Sequence, residues 1–215
     1  MYYLKQNNDN NSIKPIYRCS ICFGILLLCV AWPLSSVLPV SISFENGFLE
    51  NLQVIILMLG AFYNIFLIHH SSDKQIGDFH IWCAVFEFFM AFRELSWGRV
   101  FYPIEMEDSG PAFVAMSDFT WHDEVHVIIV ATIIFLLLFA LKYLPLKKML
   151  HCSFPILIFV VMIVAVIFSY IGDHGMIVGK LQGQIVEEFG ELAFYCLIPA
   201  LCIHYHRQLS EIKNT

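Results

Sequence analysis

Val125-His126-Val127-Ile128-Ile129-Val130-Ala131-Thr132-Ile133-Ile134-Phe135-Leu136-Leu137-Leu138-Phe139-Ala140-Leu141 contains no Asp, Glu, Lys or Arg and shows no alternation at period two. A run of this kind fits a helix crossing hydrocarbon of about 30 Å, where roughly 20 residues satisfy their own peptide groups. Five further runs read the same way: Ile21–Val40, Leu49–Ile68, Phe79–Trp97, Phe154–Ile171 and Ile185–His204. The expectation is an all-α polytopic membrane protein, a bundle of six transmembrane helices. Composition agrees, because 59% hydrophobic and 14% charged residues in 215, with a mean hydropathy of +0.71, belong to a membrane protein rather than a soluble domain.

The charges are divided between the two sides of these runs. Lys5, Lys14, Arg18, Lys74, Lys142, Lys147, Lys148, Arg207 and Lys213 fall on one side, and only Arg93, Arg99 and Lys180 on the other. The basic excess predicts cytoplasmic N- and C-termini. Residues 1–18 then form a cytoplasmic tail, 19–206 the six-helix domain and 207–215 a second tail. Met1–Arg18 is polar and Asn-rich, and the run after it is too long for a signal-peptide core, so it reads as a retained anchor. The expected location is a bacterial inner membrane. A net charge of −6, without a basic cluster interleaved with aromatics, excludes nucleic acid as a partner.

Acids say little about topology, so their concentration on the outer side needs another cause. Asp9, Asp73, Asp78 and Glu211 lie inside, whereas Glu45, Glu50, Glu87, Glu94, Glu105, Glu107, Asp108, Asp118, Asp123, Glu124, Asp173, Glu187, Glu188 and Glu191 lie outside or at depth. Function is the expected cause. The seven cysteines (Cys19, Cys22, Cys29, Cys83, Cys152, Cys196 and Cys202) read as small buried thiols, and Cys19-x2-Cys22 has no second pair to complete a metal site. The longest connection, Gly98–Trp121, reads as an outer lid or binding loop. Gly172–Gln184, with four glycines, reads as a re-entrant or mobile piece. Trp32, Trp97, Trp121, Tyr102 and Tyr170 read as an aromatic belt at the outer interface, with a lipid-binding rim as the sharper alternative.

Three polar stretches carry the chemistry. In the third run Glu87 and Glu94 are seven apart and share a helix face, with Arg93 and Arg99 close in sequence. The fourth opens with His122 and His126 at i and i+4, the spacing that presents two imidazoles to one metal, and Asp123 is placed to ligate or orient. In the last, Gln184, Glu188, Glu191 and Tyr195 follow one stripe, while Glu187 and Glu191 form an i, i+4 carboxylate pair that needs a proton or a cation between them. Glu50, Asn51 and Gln53 at the start of the second run, and Tyr170, Asp173 and His174 at the end of the fifth, reach the same expected depth. His69, His70, His80, His151, His204 and His206 read instead as polar residues of the inner edge.

Arg93-Glu94-Leu95-Ser96-Trp97-Gly98-Arg99, the acidic start at Glu45–Glu50 and the closing Glu187–Glu191 resemble motifs in a group of bacterial multi-pass membrane proteins that carry Glu-Glu-x-Ser-Trp-Gly-Gln-Arg. The resemblance is one of spaced motifs. Arg93 stands where those proteins have the first Glu, and the Gln between Gly and Arg is missing. It implies a shared site without naming an activity. The histidines and acids also resemble those of alkaline ceramidases, whose zinc is held by three histidines, and no complete matching set is assigned here.

Three functions fit these readings. The first is a metal-dependent intramembrane hydrolase: His122, His126 and Asp123 hold a divalent ion such as zinc, Glu94, Glu188 and Glu191 serve catalysis, and a lipid or isoprenoid is the substrate. The second is a cation- or proton-coupled transporter or flippase using Glu87, Glu94, Glu188 and Glu191. The third is a non-catalytic interaction or immunity-type protein with an acidic outer surface.

Overall fold

The structure, a computed structural model, describes residues 2–71, 73–107, 110–176 and 178–212, with side chains described except at 2–16, 107 and 212. Asp108, Ser109 and Lys213, and the side chains of Lys5, Asp9, Lys14 and Glu107, lie outside that description. The chain is mostly helical: α1 Tyr2–Ser35, α2 Phe48–His70, α3 Lys74–Glu94, α4 His122–Tyr143, α5 Leu146–Met149, α6 Ile156–Asp173 and α7 Lys180–Ile212. α1 and α7 continue through positions 18 and 206, the expected boundaries of the two tails. Four segments among the described residues are long and apolar enough to cross a membrane: Tyr17–Ser35, Val40–His70, His122–Tyr143 and Ile156–Asp173. α3 and α7, at 21 and 33 residues, have the length, but their polar side chains dilute their hydropathy.

The helices fall into two compact units, one of residues 1–37 and 147–215, the other of 38–146. In the first, α7 packs on both α1 and α6. Glycines set these contacts. Gly24 of α1 faces Leu197 and the Ala193 carbonyl, and a Cβ at Gly190 would lie 2.7 Å from the Ser169 nitrogen and 2.8 Å from the Ala165 carbonyl. Gly172 and Gly183 meet where α6 and α7 join, so the described residues of this glycine-rich stretch, read from sequence as a re-entrant or mobile piece, form a close helix junction. The small residues let the backbones approach closely, which is how helices associate where no hydrophobic drive separates protein from lipid. Cys19, Cys22 and Cys29 correct the reading of buried thiols: they lie on the exposed face of α1, while Cys83, Cys196 and Cys202 are buried.

In the second unit α2 and α3 form an antiparallel hairpin of helices, and α4 packs on α3. The Trp82 indole donates to the Leu136 carbonyl at 3.0 Å and ties α3 to α4. Most of α4 remains open, with Val127, Ile128, Val130, Ile133, Ile134, Leu137, Leu138 and Leu141 exposed, the surface expected of a lipid-facing helix. The long connection is more than a loop. It holds a 3-10 turn at Ser96–Phe101 and an antiparallel hairpin of β1 Pro103–Glu107 and β2 Gly110–Phe113, then a second 3-10 turn at Met116–Asp118. Two residues of β1 oppose one of β2 beside Pro103, a bulge at Ile104. The all-α expectation does not contain this hairpin.

Candidate functional site

The α2–α3 seam holds the most enclosed polar groups of the second unit. α3 buries His80, Cys83, Ala84, Glu87, Ala91 and Glu94, so that His80, Glu87 and Glu94 recur at intervals of seven along one face. α2 buries Gln53, Leu57, Gly60, Ala61 and Asn64. The two faces meet. Asn64 Nδ2 donates to Glu87 Oε2 at 2.8 Å and to the Gly60 carbonyl at 3.1 Å, and His80 Nδ1 donates to Asn64 Oδ1 at 2.7 Å. The relative exposures of His80, Asn64 and Glu87 are 0%, 1% and 1%.

Gly60 makes room for the carboxylate. A Cβ at that position would lie 2.6 Å from Glu87 Oε1, and that oxygen has no hydrogen-bond partner among the described residues. Because Gly60 lies against Glu87 in an antiparallel pair, two turns further toward the β hairpin bring Gln53 level with Glu94. The seam thus carries His80, Asn64, Glu87, Gln53 and Glu94 in succession. Asn64 is not among the expected site residues. His80, expected as an interfacial residue of the inner edge, is instead fully buried and bonded to Asn64.

At the end of α3, Arg93 Nη2 pairs with Glu94 Oε1 at 3.0 Å, the arginine half-exposed and the carboxylate enclosed. Ser96, Trp97 and Gly98 follow with φ of 43°, 57° and 91°. Left-handed backbone at non-glycine residues costs about 1–3 kcal/mol each and persists only where surrounding contacts hold it. Those contacts are visible. The Trp97 ring sits edge-on to Phe89 at 5.3 Å and stacks on Phe92 at 6.3 Å. Glu45 accepts from Ser96 Oγ at 2.9 Å and from Arg99, which also donates to the Val114 carbonyl at 3.3 Å and lies 5.6 Å from the Phe113 ring. Arg99 therefore joins the hairpin to the start of α2. Glu50 accepts from the Asn46 backbone and closes the turn into α2, whose Asn51 donates to the Asn46 and Gly47 carbonyls at 2.9 and 2.7 Å.

At the start of α4, His126 Nδ1 donates to the His122 carbonyl at 2.8 Å and His122 Nδ1 donates to Asp123 at 3.2 Å, with the two rings 4.2 Å apart. Both Nε2 atoms are thereby acceptors in the neutral rings, the form in which imidazole binds a metal. Asp123 is turned to the surface. No group of three or more His, Cys, Asp and Glu placed to hold a metal ion is found among the described residues.

Glu187, Glu188, Glu191 and Tyr195 belong to α7 of the first unit, half-buried except for Tyr195, which is enclosed. Pro199 cannot donate to the Tyr195 carbonyl, which interrupts the helical ladder four residues beyond the carboxylate cluster. At the end of α6, His174 Nδ1 donates to the Tyr170 carbonyl at 3.0 Å and lies 3.4 Å from Asp173, both exposed. His204 Nε2 donates to the Ser153 carbonyl at 2.7 Å and ties α7 to the turn before α6. In that turn, burial pushes the Cys152 thiol up, away from the nucleophilic thiolate form.

Comparison of the chain with protein-family models, with curated proteins and with solved structures returned no match. Fold and chemistry therefore rest on the residues above.

Proposed function

We propose that this chain is a proton-coupled membrane transporter or flippase in which the α2–α3 seam takes up and releases the proton. The observation that carries the proposal is the enclosed His80–Asn64–Glu87 chain with one carboxylate oxygen of Glu87 left over. An ionisable side chain within a span is costly and marks a proton or ion path by default. Here two such groups flank one amide. Asn64 accepts from His80 and donates to Glu87, so the bond directions are the same for neutral histidine with a protonated acid as for imidazolium with carboxylate. A proton can reside on Glu87 Oε1 without rearranging the network.

The finer topology belongs to the same proposal: six spans, both termini cytoplasmic and a bacterial inner membrane, as the basic bias and the motif resemblance imply. The cargo would be a lipid or isoprenoid, or another small molecule moved against the proton. The test is proton flux. Purified protein in vesicles loaded with a pH-sensitive dye should dissipate an imposed gradient in the presence of a membrane-permeant counter-ion carrier, and Glu87→Gln should not. Equal rates for wild type, variant and empty vesicles would contradict the proposal.

The metal-dependent hydrolase remains as a second reading because the His122 and His126 rings are set with both Nδ1 atoms engaged. A chelator separates the two. Proton flux unchanged by metal removal supports the transporter, whereas lipid hydrolysis that disappears with the metal and with His122→Ala supports the hydrolase.

A further inference from the structure

The hairpin between α3 and α4 exposes more apolar surface than its position in a watery loop explains. Phe101, Tyr102, Ile104 and Met106 are all exposed within six residues, Ile104 at 65% and Met106 at 76%, and Trp121 is exposed where the chain enters α4. These side chains adjoin the open apolar surface of α4 in sequence and in the same unit. A short two-stranded ribbon with an apolar surface and outer edges that pair with no other strand among the described residues is an association hazard in water.

We propose that this hairpin lies in the outer membrane–water interface, its exposed apolar side chains seated among the lipid headgroups. Two limits fix the depth. Ile104, Met106 and Phe101 together are too apolar for bulk water, while the exposed Glu105 and these outer strand edges exclude the hydrocarbon. Between these limits lies the headgroup region, where Tyr and Trp rings are favoured, and Tyr102 and Trp121 flank the hairpin. The bulge at Ile104 turns the strand locally, which disfavours pairing of its edge with a second copy. Acidic Glu105 adds a preference: the surface suits zwitterionic headgroups and is repelled by anionic ones. The seat would hold Arg99, bonded to the Val114 carbonyl just beyond β2, at a fixed level relative to the membrane.

The test uses full-length Met106→Trp in vesicles of phosphatidylcholine, with bromine placed either near the headgroups or deep in the chains. The emission that the introduced indole adds over the parent should be blue-shifted, should lose most of its intensity to shallow bromine and little to deep bromine, and should resist aqueous iodide. Adding anionic lipid should reduce the shallow quenching. Quenching of the parent's own tryptophans reports insertion independently, so a failure of the hairpin to dock is distinct from a failure of the protein to insert. Emission open to iodide and indifferent to bromine would overturn the proposal, as would preferential deep quenching. Shielding from all three quenchers would overturn it in favour of a protein partner or a second copy.

Discussion

Asn64 and Glu87 meet at 2.8 Å across the α2–α3 seam, and Gly60, one turn before Asn64, supplies the space that the carboxylate fills. Amide, carboxylate and glycine form one unit. The amide holds one oxygen of Glu87, and the absent side chain leaves room for the other, which is buried without a hydrogen-bond partner among the described residues.

Gly60→Ala tests the space. Its Cβ would meet Glu87 Oε1 at 2.6 Å, so the carboxylate or the helix must shift. The expected cost is about 1–3 kcal/mol, as for overpacking in general. Thermal unfolding in detergent should fall accordingly and proton flux should drop with it. Full stability with full flux would mean that Glu87 does not occupy this position.

Asn64→Leu tests the amide. It leaves the His80 N–H and the Glu87 carboxylate without their bridge, at roughly 1–3 kcal/mol for each buried group left unsatisfied. The double variant with Glu87→Leu should recover part of this loss, because one of the two stranded groups is gone. Strict additivity in the unfolding free energies would deny the coupling.

Gly98→Ala isolates the backbone strain after α3. The nearest side-chain atom to a Cβ there is 4.0 Å away, so packing contributes nothing and the cost arises from φ of 91° alone. About 1–2 kcal/mol is expected. An alanine variant as stable as the parent would mean that this turn is not left-handed.

Topology is tested by single-cysteine labelling. Glu105→Cys, in the hairpin, should react with an impermeant reagent from outside, and Lys147→Cys from inside only. The reverse pattern would invert the whole assignment.

Much of the fold was legible in the sequence because hydropathy records burial in lipid directly. Leu49–Ile68, Val125–Leu141 and Ile185–His204 each lie inside a helix, and Phe154–Ile171 and Phe79–Trp97 overrun theirs by two or three residues. Ile21–Val40 overruns by five, since α1 stops at Ser35 and Val40 opens a 3-10 turn. The shared face of Glu87 and Glu94 was also legible, from their spacing of seven. His80 continues that spacing, yet its distance from the middle of the run points to the inner edge. Asn64 was hidden for a different reason: which residue of α2 meets Glu87 depends on the register of two helices, and periodicity within one helix does not set it. The β hairpin was hidden because its alternation, Ile104-Glu105-Met106-Glu107, runs for only four residues between Pro103 and the turn, and Pro111 within β2 speaks against a strand there.

The most direct measurement is the protonation of Glu87 itself. Infrared difference spectra of the protein in membranes, taken as pH is stepped upward, should show a carboxylic C=O band that loses intensity and is absent from Glu87→Gln, a variant that keeps the side-chain volume and the bond from Asn64. The proposal predicts that this band changes reversibly and that the same substitution abolishes proton flux. A Glu87 band that never changes across the range in which the protein stays folded, together with undiminished flux in Glu87→Gln, would contradict it.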